Sequence, residues 1–175
     1  SRLLHEAALD CHESLLERAG GGGGRHFATT LTLFLGQWPH AYLLQVGDSR
    51  CYLYMNDELR QITRDQTYAE ELVRQGALTR TQAEGTRWAH ILSSAMGGPE
   101  AVPVVTRVTR DWGAVVLLCS DGLTKHVSDE QIRDRLANLS SARTACELLL
   151  ADALAAGGTD NITVVIGRTV RTEEG

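Results

Sequence analysis

Long apolar runs are missing from this 175-residue chain: none reaches ten residues, against the ~20 a helix needs to cross a bilayer. Basic clusters are missing too. Lys and Arg number 17 against 22 Asp and Glu, a formal charge of −5, and no run of Lys and Arg offsets that surplus locally. This argues against a dedicated nucleic-acid or anionic-membrane binder. The four cysteines, Cys11, Cys51, Cys119 and Cys146, form no CxxC or Cys/His spacing. A zinc site or disulfide framework is therefore the poorer expectation and a reduced, cytoplasmic protein the better one, with Cys51 and Cys119 behaving as small hydrophobes. No secretory signal is legible, since Ser1-Arg2-Leu3-Leu4-His5-Glu6 soon turns acidic. There is no internal repeat, no Pro-rich linker and no GxSxG elbow for a nucleophilic serine. What is present, 43% hydrophobic and 22% charged residues, suits one soluble globular domain spanning 1–175.

The chain opens with an amphipathic helical pattern over residues 2–19, where Leu3, Leu4, Ala7, Ala8, Cys11, Leu15 and Leu16 recur at three- and four-residue spacing. Five glycines, Gly20 to Gly24, end it and read as a loose loop; no Gly-Lys-Ser/Thr follows to make them a phosphate cradle. Short β-rich segments come next: Thr29–Leu35, Ala41–Val46, Cys51–Met55 and Glu58–Ile62, with Asn56-Asp57 as a turn, together suggesting an antiparallel meander. Residues 66–90 are polar and helical in propensity, an insertion with one helix at Tyr68–Gln75 and another at Thr79–Glu84, the latter opened by a Thr79/Gln82 capping box. Ser93, Ser94, Met96 and Gly97-Gly98 read as a structural strand-entry turn. Strands return at Val102–Val108 and Ala114–Cys119, helices at Ser128–Ala137 and Ala142–Ala155, and a last strand at Ile162–Ile166. Strands and helices segregated in this way indicate an α+β layered domain.

Three aspartates stand out by position. Asp48 follows the strand at 41–46, Asp121 follows the strand at 114–119, and Asp160 precedes the strand at 162–166. With the last strand antiparallel to the other two, all three carboxylates would emerge at one sheet edge. Carboxylates gathered there repel one another unless they share hard cations. With no His or Cys beside them, Mg²⁺ or Mn²⁺ is the expected occupant, and such a site supports metal-assisted phosphoester hydrolysis. Turn chemistry explains an Asp beside Gly or Asn equally well.

The ordered set Val46-Gly47-Asp48-Ser49-Arg50, Cys119-Ser120-Asp121-Gly122-Leu123 and Gly158-Thr159-Asp160-Asn161-Ile162-Thr163 resembles the metal-dependent protein phosphatase 2C (PPM) family of serine/threonine phosphatases, in its bacterial form. Leu59–Asp65, Glu70–Val73 and Leu92–Gly97 add to the resemblance. It implies a two-layer antiparallel β-sandwich flanked by helices. It also implies two or more Mn²⁺ or Mg²⁺ ions in the complete domain, and attack on phosphoserine or phosphothreonine by a metal-activated water without a phosphoenzyme. Asp121 and Asp160 match positions that bind the first metal, and Asp48 one that binds a further ion. Gly122 and Asn161 would shape the ligand loops, and 66–90 would be the flap beside the active site. Implied partners are a phosphoprotein substrate and a cognate Ser/Thr kinase system in signal transduction, with no nucleic acid or membrane.

The chain departs from the family pattern in four places. The phosphate-holding Arg and the Asp-Gly motif with the metal-bridging aspartate have no counterpart, so weak activity or none is expected from these residues alone. Lys125 replaces a frequent acidic residue, and Gln66 stands where many relatives have His, with no role assigned. The alternatives are a catalytically impaired, phosphatase-like binding or regulatory module, or an unrelated α+β fold in which the aspartates only form turns.

Overall fold

A computed structural model describes residues 1–20 and 27–171. Most of the glycine run, residues 21–24, lies outside the described residues. In chain order the elements are α1 (Arg2–Gly20), β1 (Leu31–Gln37), β2 (His40–Val46), β3 (Arg50–Met55), β4 (Glu58–Gln61), α2 (Tyr68–Arg74) and α3 (Arg80–Glu84). A 3₁₀ turn (Arg87–His90) precedes β5 (Val104–Thr109), β6 (Val115–Cys119), α4 (Asp121–Thr124), α5 (Asp129–Ala137), α6 (Ala142–Ala155) and β7 (Val164–Arg168). The class is α+β with two antiparallel sheets, and the chain divides into two compact units.

The first unit comprises residues 1–49 and 65–108. Its sheet runs β1-β2-β5, and the central β2 buries Ala41, Leu43, Leu44 and Val46. β1 and β2 form a hairpin whose last pair is Gln37 with His40, so Trp38-Pro39, a cis peptide, makes the whole turn. In α1 the inward stripe is Leu4, Ala8, Leu9, His12, Leu15 and Ala19, at helical spacing. Leu3, Ala7, Cys11 and Leu16 lie outside it and are exposed, so the apolar face is wider than the part the unit covers. His12 belongs to that stripe because its Nδ1 accepts the Gly97 N–H at 3.0 Å. Thr29 and Met96 exchange two backbone hydrogen bonds, which fixes the 93–98 turn in place. Residues 66–90 hold α2, α3 and the 3₁₀ turn. The Thr67 hydroxyl caps α2 by accepting from the Glu70 N–H, and Thr79 with Gln82 forms the expected capping box on α3.

The second unit comprises residues 50–64 and 109–175. Its sheet runs β4-β3-β6-β7, antiparallel throughout. The β3–β4 hairpin turns through Asn56 and Asp57, at φ of 53° and 62°, the doubly positive pattern that matches strand twist in a two-residue turn. One face of β6, Val115, Leu117 and Cys119, joins Tyr52 in a core completed by Leu123 and Val127, Ile132 and Leu136 of α5, and Leu149 and Ala153 of α6. The Tyr52 hydroxyl donates to Asp129 Oδ1 at 2.9 Å at the start of α5, and burial pushes its phenol upward in pKa. Burial, with Cys119 nearby, pushes the Cys51 thiol up to about 12, so it is an inert part of the packing. All four cysteines are free. α5 and α6 are clasped by Arg135, whose Nε and guanidinium nitrogen donate to Asp152 at 2.7 and 2.8 Å.

Two expectations shift. The four early strands do not form one meander: β1 and β2 pair in one sheet, β3 and β4 in the other, because Gly47-Asp48-Ser49 ends the first hairpin before the second begins. The last strand starts at Val164 rather than Ile162, since Thr163 gives its backbone to Ser120.

Leu149 is fully buried; Leu149→Ala should cost about 2–5 kcal/mol in chemical denaturation. The Arg135 guanidinium, chiefly by hydrogen bonding, holds the Asp152 carboxyl below its usual range. A depressed folded-state pKa contributes stability that is present above the unfolded value, about 3.9, and lost as pH falls through the folded one. Asp152→Asn should therefore cost about 0.5–1 kcal/mol at pH 7 for this half-exposed pair. The gap in melting temperature from the wild type should close in acid below the ordinary carboxylate range.

Candidate metal centre

Asp121 and Asp160 come from the two sides of one antiparallel strand pair. Cys119, the last residue of β6, pairs with Val164, the first of β7, so the residues just beyond lie at the same sheet end. Ser120 joins them. Its N–H donates to the Thr163 carbonyl at 3.1 Å, its hydroxyl donates to the Asn161 carbonyl at 3.0 Å, and that hydroxyl accepts the Thr163 N–H at 3.0 Å. Gly122 is fitted against the same loop: a Cβ there would run into the Asn161 carbonyl oxygen, with the carbonyl carbon 3.0 Å away. Only a residue without a side chain permits this approach.

The loop carrying Asp160 is held from its other side by His126. Its Nε2 accepts the Thr159 N–H at 3.1 Å and lies 2.9 Å from the Thr159 hydroxyl. Accepting an N–H assigns that nitrogen as the unprotonated one. The Asn161 N–H in turn donates to Asp160 Oδ1 at 2.8 Å. Neither Ser120 nor His126 was singled out for this role from sequence, because their partners lie 33 to 43 residues away.

Between the two carboxylates sits Lys125, the only lysine among the 17 basic residues. Its Nζ lies 2.7 Å from Asp121 Oδ2 and 2.5 Å from Asp160 Oδ2. The first contact follows from local geometry, since Lys125 stands one turn beyond Asp121 and its N–H donates to the Asp121 carbonyl at 2.9 Å. The Lys125 ammonium, chiefly through its hydrogen bond and helped by the Asn161 N–H, holds the Asp160 carboxyl below its ordinary pKa. Hydrogen bonds to Asp121 first and Asp160 second raise Lys125.

Asp48 belongs to the first unit. It is half-buried in the turn after β2, and that turn is secured by Gln66. Gln66 Oε1 accepts the Gly47 N–H at 2.7 Å, its N–H donates to the Gly47 carbonyl at 3.2 Å, and its Nε2 donates to the Val102 carbonyl at 2.8 Å. Gln45 Nε2 adds a bond to the Gly47 carbonyl at 3.0 Å. Gly47 has φ of +102°, and a Cβ there would meet the Thr30 side chain. Gln66, to which the sequence attached no role, is thus the brace of the turn that carries Asp48.

Among the described residues, no three His, Cys, Asp or Glu side chains converge as a ready metal cage. The Asp121–Asp160 pair nevertheless suits a hard divalent cation, which takes one or two carboxylates and keeps water for the rest. That both carboxylates already close on one cationic nitrogen shows that they can share a positive centre.

Two oxygen-donor carboxylates converging at the end of an antiparallel sheet, in an α+β frame, define a candidate hard-cation centre. The chain belongs to the protein phosphatase 2C family, whose model matches residues 1–156. It is 39% identical over 147 residues to the serine/threonine protein phosphatase PstP of Mycobacterium tuberculosis, covering 84% of this chain and 28% of that protein. It is 36% identical over 142 residues to the serine/threonine phosphatase stp of Listeria welshimeri, covering 79% of this chain and 55% of that one. The chain thus spans between about a quarter and just over half the length of these relatives. The crystal structure of the catalytic domain of PstP in complex with two manganese ions superposes with a TM-score of 0.79 at 35% identity, covering 91% of this chain and 67% of that structure.

Gly122→Ala should force the 158–162 loop away from α4. The expected result is a loss of about 1–3 kcal/mol in stability and hydrogen exchange at the Thr163 amide that quickens more than at the core amides of β6.

Proposed function

We propose that this chain is the greater part of a metal-dependent phosphatase domain that removes phosphate from phosphoserine and phosphothreonine in proteins. The observation that carries the reading is the convergence of Asp121 and Asp160 at one sheet end in a member of the protein phosphatase 2C family. In this reading Asp121 and Asp160 hold Mn²⁺ or Mg²⁺ and Asp48 serves a further ion. Gly122 and Asn161 shape the loops, and the 66–90 segment is a flap of the same domain. The names of the relatives and the manganese-bound PstP structure support this and lend nothing to a purely binding module. A cytoplasmic site of action in kinase-linked signalling agrees with the four free cysteines. Among the described residues no helix is long and apolar enough to cross a membrane.

A divalent ion bound here would acidify a water and offset the charge on a phosphate ester. The chain's own residues do the rest. Ser120 and Gly122 keep the Asp121 turn against the 158–162 loop, so both carboxylates face one centre. The Asn161 N–H orients Asp160 by donating to its Oδ1, which holds the carboxylate beside Asp121 for a cation that the pair would share. An aspartate is ionised at neutral pH in any case, and the Lys125 ammonium and the Asn161 N–H hold Asp160 further below its ordinary pKa.

The test is hydrolysis of a phosphothreonine peptide by the whole protein at saturating Mn²⁺. Asp121→Ala and Asp160→Ala should each lower the rate by about 100-fold or more, beyond the 10–100-fold typical of residues that only support a metal ligand. Equal, metal-independent rates in all three proteins would sink the catalytic assignment.

A further inference from the structure

Of the 17 basic residues in the chain, 16 are arginine, and the one lysine stands between the two carboxylates of the candidate metal centre. The chemistry of the position accounts for a lysine. A single ammonium nitrogen can lie within bonding distance of two oxygens from different loops, whereas a guanidinium spreads its donors over a planar fork and favours one carboxylate. Lys125 has little choice of reach, because α4 brings it one turn above Asp121 and the Gly122–Asn161 contact brings Asp160 alongside. Its side chain is only 30% exposed.

Charge counting gives the consequence. Two carboxylates and one ammonium leave a local charge of −1. A divalent ion between the same oxygens would neutralise them alone, and with Nζ still in place the site would carry +1. A divalent ion held by this pair would meet the ammonium already bonded to Oδ2 of Asp121 and Oδ2 of Asp160. We propose that Lys125 is a tethered cation that holds the Asp121–Asp160 pair together without metal, must swing out for a divalent ion to bridge the pair, and so sets the metal affinity of the centre. This rests on the reading of Asp121 and Asp160 as metal ligands, and it adds a residue that regulates their occupancy.

The experiment compares the wild type with Lys125→Met, which keeps length and removes charge, and with Lys125→Arg, which keeps charge. Mn²⁺ binding is measured by calorimetry and by the Mn²⁺-dependent rise in melting temperature. Lys125→Met should bind Mn²⁺ about tenfold or more tightly than the wild type, the scale on which one close charge shifts a site. In chelator it should melt lower than the wild type, because two carboxylates are left facing each other. Lys125→Arg, which keeps the charge but favours one carboxylate, should bind Mn²⁺ with an affinity between those of the wild type and Lys125→Met. A second measurement needs no variant: acetylation of Lys125 by an amine-reactive reagent, read by peptide mass spectrometry, should quicken several-fold when Mn²⁺ is added. Equal Mn²⁺ affinity in all three proteins, or a Lys125 acetylation rate indifferent to Mn²⁺, overturns the role of Lys125 and leaves the metal centre standing. No Mn²⁺ binding by any of the three overturns the metal centre itself, and the inference with it.

Discussion

The candidate centre depends on one small contact, the hydroxyl of Ser120 placed between the Asn161 carbonyl and the Thr163 N–H. It extends the β6–β7 pairing by side chain where the ladder has ended, and so keeps two loops in register beyond their strands. A glycine must follow two residues later, because the backbone of α4 then passes against Asn161 with no space for a Cβ. Asp121 and Asp160 face each other as a result of that fit. Mutual attraction cannot be the cause, since two carboxylates left alone repel. The ammonium between them is the charge that makes the arrangement tolerable.

Much of this was legible in the sequence. The capping box at Thr79 starts α3 where the spacing placed it, and α5 and α6 run over the expected residues because their punctuation, the Ser128 box, Ser141 and Gly157-Gly158, is local. The strand-end positions of Asp121 and Asp160 also follow from local pattern, and the antiparallel β6–β7 pair brings them to one end. What could not be read was long-range. Nothing near Ser120 or His126 points to partners in the 159–163 loop. Gln66 has no apolar period or charge to mark it, yet it braces Gly47 from 19 residues away. The start of β7 was missed for a related reason: Ile162 continues the apolar run, but the hydrogen bonds of Thr163 belong to the loop contact rather than the ladder.

The amphipathic pattern of α1 shows a different limit. Apolar residues cover more of that helix than the inward stripe uses, and the stripe includes His12, a residue that is not apolar. A period of 3.6 locates a face; it does not rank the residues on it. His12 lies inward because the Gly97 N–H needs an acceptor there, a demand that arises 85 residues away.

The brace at Gly47 has a further meaning. Gln66 uses both ends of its carboxamide at once, the oxygen to accept from Gly47 and the nitrogen to donate to Val102. An imidazole could offer the same acceptor and donor only while neutral, and would forfeit the acceptor on taking up a proton. A carboxamide has no such event in the biological range. The brace of the turn that presents Asp48 thus holds no group that gains or loses a proton, and acidity cannot loosen that turn through Gln66.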